Sequence, residues 1–182
     1  AKSVKLGTKK SLFVVDMPKD SYNNPKQALK NAKYILKETG CDAIKIENNP
    51  YNLKIVETLN KAKINVMGHI GFTPQFKKKF KVEGRSINEQ TQLINIAKKI
   101  ETAGAFSIVL ECISKMTAQK ITKSLKIPTI GIGSSNLCGG QILVTDDILG
   151  LSGFYPKFVK KYANLEKIIE NAIKQFSKDV KS

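Results

Sequence analysis

The sequence predicts an α/β fold, a parallel β-sheet covered by helices, and three observations lead there. Short apolar runs alternate along the chain with longer amphipathic ones. The short runs are apolar at consecutive positions, as expected of strands buried on both faces. Several of them also close on a charged or imidazole side chain, which favours a closed (β/α)8 barrel, where reacting groups sit at the carboxyl ends of several strands. The competing arrangement is an open, doubly wound sheet. At 182 residues the chain suits one domain, 1–182.

Taken in order, LFVVD at 12–16 reads as a strand. Asn24 then caps a helix with Pro25 at its first position, where the missing N–H costs nothing; Ala28, Leu29, Ala32, Ile35 and Leu36 mark its apolar face, and Gly40 stops it. AIKIE at 43–47 is the next strand, followed by a helix carrying Leu53, Val56 and Leu59 and by the strand INVMGH at 64–69. A long loop with Pro74 and Gly84 leads to a helix that opens on a capping box, Ser86 to Glu89. Leu93, Ile94, Ala97 and Ile100 give that helix its apolar stripe, and it ends at Gly104. SIVLEC at 107–112 is a strand; a helix from about Ser114 to Leu125 turns Met116, Ala118, Ile121 and Leu125 inward. PTIGIG at 128–133 and QILV at 141–144 are apolar stretches, and a last helix bears Leu165, Ile168, Ile169, Ala172, Ile173 and Phe176.

Composition excludes several classes. No apolar run approaches the roughly 20 residues that span a bilayer, and AKSVKLGTKK is not followed by the apolar region of a secretory signal. Cys41, Cys112 and Cys138 make an odd set without a C-x-x-C pair, which argues against a disulfide framework and fits a cytoplasmic location. The net charge of +16 invites a nucleic-acid reading, yet every basic residue but Arg85 is lysine, and the lysines are spread along the chain. Bidentate base readout prefers arginine, so no nucleic-acid partner and no membrane are expected. FKKKFK at 76–81 reads as a solvated loop.

The chemistry gathers at the strand ends: Asp16, Lys45, Glu47, His69 and Glu111 all fall there. Glu111 is the informative one, because a carboxylate directly after Ile108, Val109 and Leu110 resists leaving water and needs a reason to be present. Two carboxylates without a thiolate, Asp16 and Glu47, suit a hard cation such as Mg²⁺, which polarises a carbonyl. Glu111 is then free to act as general base. Lys45 shares a strand face with Glu47 and can pair with a substrate carboxylate. GIGSSN lacks the full G-x-G-x-x-G pattern and reads as a tight turn at a barrel rim.

DMP at 16–18, KIEN at 45–48, GHIGFTPQ at 68–75, VEGR at 82–85, LEC at 110–112, IPTIGIG at 127–133, then GQILV, DDILGL and PKFVKKY occur in one order over essentially the whole chain. Together they resemble the ketopantoate (3-methyl-2-oxobutanoate) hydroxymethyltransferase family. The resemblance implies a (β/α)8 TIM barrel of the phosphoenolpyruvate/pyruvate type, cytoplasmic and assembled as a homo-oligomer, a decamer. It implies Mg²⁺ and 5,10-methylenetetrahydrofolate as co-substrate in the first committed step toward pantothenate and coenzyme A. By motif, Asp16 is a metal ligand that also touches substrate, Glu47 a metal-site carboxylate, Lys45 a substrate contact, Glu111 the catalytic base, and His69 a neighbour of the product hydroxyl. The family carries two further β/α units upstream, the second ending in an aspartate-serine pair, so strands 3 to 8 are expected here and residues 1–7 read as the tail of a helix. Asn48 and Asn49 stand where the family favours glycines, and Ser134 and Ser135 follow IGIG. Two further readings are a noncatalytic partner subunit and a metal-dependent carbon-carbon lyase or mutase on the same barrel.

Overall fold

The computed structural model describes residues 1–48 and 52–181, so Asn49 lies outside the described residues. The elements run α1 (Lys2–Gly7), β1 (Val14–Asp16), α2 (Pro25–Thr39), β2 (Ala43–Lys45), α3 (Leu53–Lys61), β3 (Val66–Gly71), α4 (Ile87–Thr102) and β4 (Ser107–Glu111). They continue with α5 (Lys115–Ser124), β5 (Thr129–Ile132), β6 (Gly140–Gln141), α6 (Thr145–Leu149) and α7 (Leu165–Asp179). They fall into two compact units, residues 1–141 and 142–182.

In the first unit the strands form one sheet in the order β1-β2-β3-β4-β5-β6, and every neighbouring pair is parallel. A doubly wound sheet reverses its strand order at a switch point. No reversal occurs here. The strands follow chain order, as along the wall of a barrel, and make a curled half-barrel with β1 and β6 at its edges. The pairing brings Asp16 opposite Lys45, Lys45 opposite Met67, and Gly71 opposite Glu111, so the carboxyl ends lie along one rim.

Alternation along the strands separates two faces. Ile44, Ile46, Ile70, Ile108 and Leu110 are buried in a core with Ala28, Ala32, Val56, Leu59, Leu93, Ala97, Ile100 and Ile121 of the covering helices. Lys45, Glu47, His69 and Glu111 alternate with these core residues and belong to the other face. The helices begin and end for the reasons the sequence supplies. Asn24 accepts from the Gln27 amide at 2.9 Å, Gly40 closes α2 at φ +62°, and Ser86 and Glu89 cap each other's backbone at the start of α4.

Several boundaries differ from expectation. β2 ends at Lys45, yet its ladder runs on, with the Ile46 amide donating to Met67 O and the Asn48 amide to His69 O. QILV contributes only Gln141 to β6, and Ile142 and Val144 are exposed. Met116, expected inward, is 56% exposed because it sits on the outer side of α5 from Ala118 and Ile121. Of GIGSSN, Gly131 and Ile132 finish β5 and the turn begins at Gly133, at φ +57°, with Ser135 buried within it. The second unit contains α6, which the periodicity did not announce, and α7, none of whose side chains is buried in the described chain. Ile168, Ile169, Ile173 and Phe176 of α7 are all exposed.

Gly71 is the position on which the rim closes. Its φ is +96°, and a Cβ there would lie 2.1 Å from the main-chain oxygen of Glu111, which accepts from the Phe72 amide at 2.8 Å. Both the left-handed backbone and the close approach demand glycine. Gly71→Ala is expected to lower the unfolding free energy by about 2 kcal/mol or more, measured by urea titration, since it adds backbone strain to a clash that no flexible side chain can relieve.

Candidate functional site

At the rim, β1, β2, β3 and β4 deliver the five expected side chains to one connected group. Lys45 Nζ lies 2.8 Å from Asp16 Oδ2 and 3.4 Å from His69 Nδ1. His69 Nδ1 is 3.9 Å from Glu47 Oε1, and Nε2 is 3.1 Å from Glu111 Oε2. The ammonium group has protons to give and no lone pair, so Nδ1 must accept and the ring proton belongs on Nε2, toward Glu111. That Nε2 contact is close without the alignment of a hydrogen bond, which leaves Nε2 as a buried donor with capacity to spare.

Glu47 and His69 are 1% and 2% exposed, whereas the Asp16 side chain is 48% exposed at the edge strand. Burial is the main cause that pushes the Glu47 carboxyl above its usual value, and the Asp16 charge adds to it; the Gln75 amide, His69 and Lys45 work the other way. The Gln75 amide donates to Glu47 Oε2 at 3.0 Å, and its side-chain amide donates to Met17 O at 3.0 Å. Gln75 Oε1 accepts from the Tyr22 hydroxyl at 2.6 Å, and burial keeps that hydroxyl protonated well past its ordinary range.

Sequence reasoning gave Gln75, Tyr22 and Asn48 no role. Gln75 stood inside GHIGFTPQ, but only the fold shows that it joins the segment after Asp16 to Glu47. Asn48 accepts from the His69 amide at 3.0 Å while its own amide donates to His69 O at 2.7 Å, clamping β3 beside the imidazole. Gly68 makes room for it, as a Cβ there would lie 2.9 Å from Asn48 Oδ1. A G-x-x-x-x-x-x-Q spacing carries no such message by itself.

No group of three or more His, Cys, Asp and Glu donors forms a metal cluster among the described residues. Two carboxylates, with the Asp16 charge adding to the proton affinity of Glu47 and no thiolate beside them, match a hard cation that completes its shell from water and substrate. A cavity of about 230 Å³ lies elsewhere, lined by Ile70, Thr73, Phe76, Lys77, Leu93 and Ile96 on the helix side of β3. It takes in none of the five rim residues. The three cysteines are buried and unpaired; Cys112, at φ +52°, has its thiol pushed up to about 12 by burial and then by Glu111. No described helix is long and apolar enough to cross a membrane.

The profile of the ketopantoate hydroxymethyltransferase family matches residues 1–182. The chain belongs to this family. It is 52% identical over 180 residues to a 3-methyl-2-oxobutanoate hydroxymethyltransferase of Pelagibacter ubique, covering 99% of this chain and 70% of that protein. A Bartonella quintana protein of the same name is 47% identical over 184 residues, with 99% and 67% covered. Among solved structures, the carboxyl transferase domain of Rhizobium etli pyruvate carboxylase with pyruvate superposes with a TM-score of 0.52 at 12% identity, over 71% of this chain and 24% of that one. That likeness supports the α/β barrel-type fold. The family's hydroxymethyl transfer is thus matched by a chain whose rim collects an acid pair, a lysine, a histidine and a further acid.

The raised Glu47 value has a consequence for stability. The folded chain holds this proton more tightly than the unfolded chain does, so the stabilisation is fully present below about pH 4.5 and is lost as pH rises through the folded value. In the absence of divalent cations, urea midpoints are expected to fall more steeply across that window for the parent than for Glu47→Gln.

Proposed function

We propose that the rim transfers a hydroxymethyl group to 3-methyl-2-oxobutanoate, its carbon coming from the methylene of 5,10-methylenetetrahydrofolate and its hydroxyl oxygen from water, giving 2-dehydropantoate and releasing tetrahydrofolate. The observation that carries this reading is the line from Lys45 through His69 to Glu111, which puts a cation and a carboxylate on opposite sides of one imidazole. The family membership of the whole chain supports it.

Asp16 and Glu47 are the groups that would hold Mg²⁺. When bound, the ion polarises the substrate's 2-oxo group and so acidifies C3. Lys45 receives the substrate carboxylate; it already holds a carboxylate partner in Asp16, so the incoming acid shares an established cation. Glu111 takes the proton from C3. His69 presents its Nε2 proton 3.1 Å from Glu111 Oε2 and without a hydrogen-bond partner, so it can donate to the hydroxyl formed on the transferred carbon. Gln75 and Tyr22 keep Glu47 oriented. In the same reading the six strands are strands 3 to 8 of a closed (β/α)8 barrel of the phosphoenolpyruvate/pyruvate type, residues 1–182 form part of one domain, and the protein works in the cytoplasm as a homo-oligomer.

A second reading is a noncatalytic partner subunit, which the lack of a three-donor cluster among the described residues favours. Proton exchange separates the two. With Mg²⁺ and no folate, the C3 proton of 3-methyl-2-oxobutanoate is expected to wash out into heavy water, followed by NMR, and Glu111→Gln is expected to slow this by at least about a hundredfold. Absence of any exchange above the uncatalysed rate selects the noncatalytic reading.

A further inference from the structure

The loop after β3 carries a feature that this chemistry leaves unused. Between Phe72 and Val82 there are four lysines and no acid. The outer two are engaged: Lys77 Nζ donates to Gly71 O at 2.8 Å and pairs with Glu83, and Lys81 Nζ pairs with Glu89 at 3.3 Å. The inner two, Lys78 and Lys79, are exposed and have no carboxylate partner among the described residues. The aromatic rings on either side do not point away with them. Phe76 packs edge-on against Tyr22 at 6.4 Å, and Phe80 packs on Phe72 at 4.9 Å.

The loop is therefore tethered at both ends and along its aromatics, while two adjacent ammonium groups are left facing outward. Its root is Gln75, whose amide holds Glu47. Lys78 and Lys79 lie three and four residues further on, within about 14 Å of Gln75 along any chain path. A folate carries its reacting one-carbon unit at N5 and N10, and beyond the p-aminobenzoyl ring extends a chain of γ-linked glutamates. That separation is within the reach of an anionic chain that leaves the rim through the ring and its first residues.

Resting on the co-substrate reading above, we infer that Lys78 and Lys79 form a docking site for the γ-glutamate tail of the folate. The site recognises carboxylates beyond the first glutamate. It acts on affinity and leaves the reacting groups untouched, and it accounts for the paired state of the flanking lysines, which hold the loop, and the unpaired state of the central ones. Two exposed ion pairs of ordinary strength correspond to roughly a tenfold gain in affinity at low salt, and such a gain weakens as the Debye length shortens.

The test uses the full chain and calorimetric titration with p-aminobenzoyl-monoglutamate and p-aminobenzoyl-pentaglutamate, at low and at high salt. The pentaglutamate is expected to bind about tenfold more tightly at low salt, with the difference shrinking at high salt. Lys78→Ala with Lys79→Ala is expected to remove the difference while leaving the melting temperature unchanged. Lys30→Ala with Lys33→Ala, exposed on α2, is the control for general charge and is expected to preserve it. Equal binding of the two ligands, no binding of the pentaglutamate, a difference that survives in the loop variant, or an equal loss in the α2 variant each overturns the inference. The proton-exchange assay contains no folate, so success there with failure here removes the tail site alone, and the reverse removes the reaction alone.

Discussion

One ammonium group organises the rim. Lys45 is held on the inner face of β2, and its charge meets Asp16 on one side and the lone pair of His69 on the other. Without that cation, Asp16, Glu47 and Glu111 would confront one another across a partly dry space, and burial already makes Glu47 reluctant to ionise. Lys45 also fixes the imidazole tautomer, which decides the direction in which the ring proton points. A single side chain thus sets the charge balance on the acid pair and the hydrogen-bonding sense of the ring that faces Glu111. Replacing it by arginine would keep the charge and lose the fit, because a planar fork has no geometry that serves a carboxylate and a ring nitrogen at these angles equally well.

The backbone enforces this arrangement more rigidly than the side chains do. Parallel register aligns Asp16 with Lys45 and Gly71 with Glu111, so the rim is level before any polar contact forms. Left-handed positions at Gly71 and Cys112 then turn the chain away on both sides of Glu111. Cys112 is the more telling of the two, because a side chain at φ +52° is retained there with a buried thiol that its surroundings keep protonated. Its amide donates to Ile132 O and its carbonyl accepts from the Glu83 amide, so the strained residue is tied to the next strand and to the 82–85 loop.

Much of this was legible in the residues, for identifiable reasons. Strand and helix type followed from apolar runs and periodicity, and the caps at Asn24 and Ser86 stand where their side chains put them. Asp16, Glu47, His69 and Glu111 could be named because each closes an apolar run, and Lys45 because it shares a strand face with Glu47; parallel strands in a barrel share one functional end. Contacts between segments distant in sequence were not legible. Gln75 meets Met17 and Glu47 from 58 and 28 residues away, and nothing in its neighbours encodes that. Asn48 looked like a departure from a family glycine, yet it clamps β3 through two hydrogen bonds. Apolar periodicity also misled where it met an outer face. Met116 and the stripe on α7 have the spacing of core residues and are exposed in the described chain.

The unbroken strand order has a further consequence, for the way the molecule is made. Each strand of the sheet pairs with the one synthesised just before it, and each intervening helix covers the pair it connects. Within this sheet each described strand finds its partner in the neighbouring stretch of chain, so loop-closure entropy is met in small instalments. The half-barrel is suited to being laid down progressively from its amino end as the polypeptide leaves the ribosome, with Glu111 reaching the rim only after Asp16, Lys45 and His69 are in place.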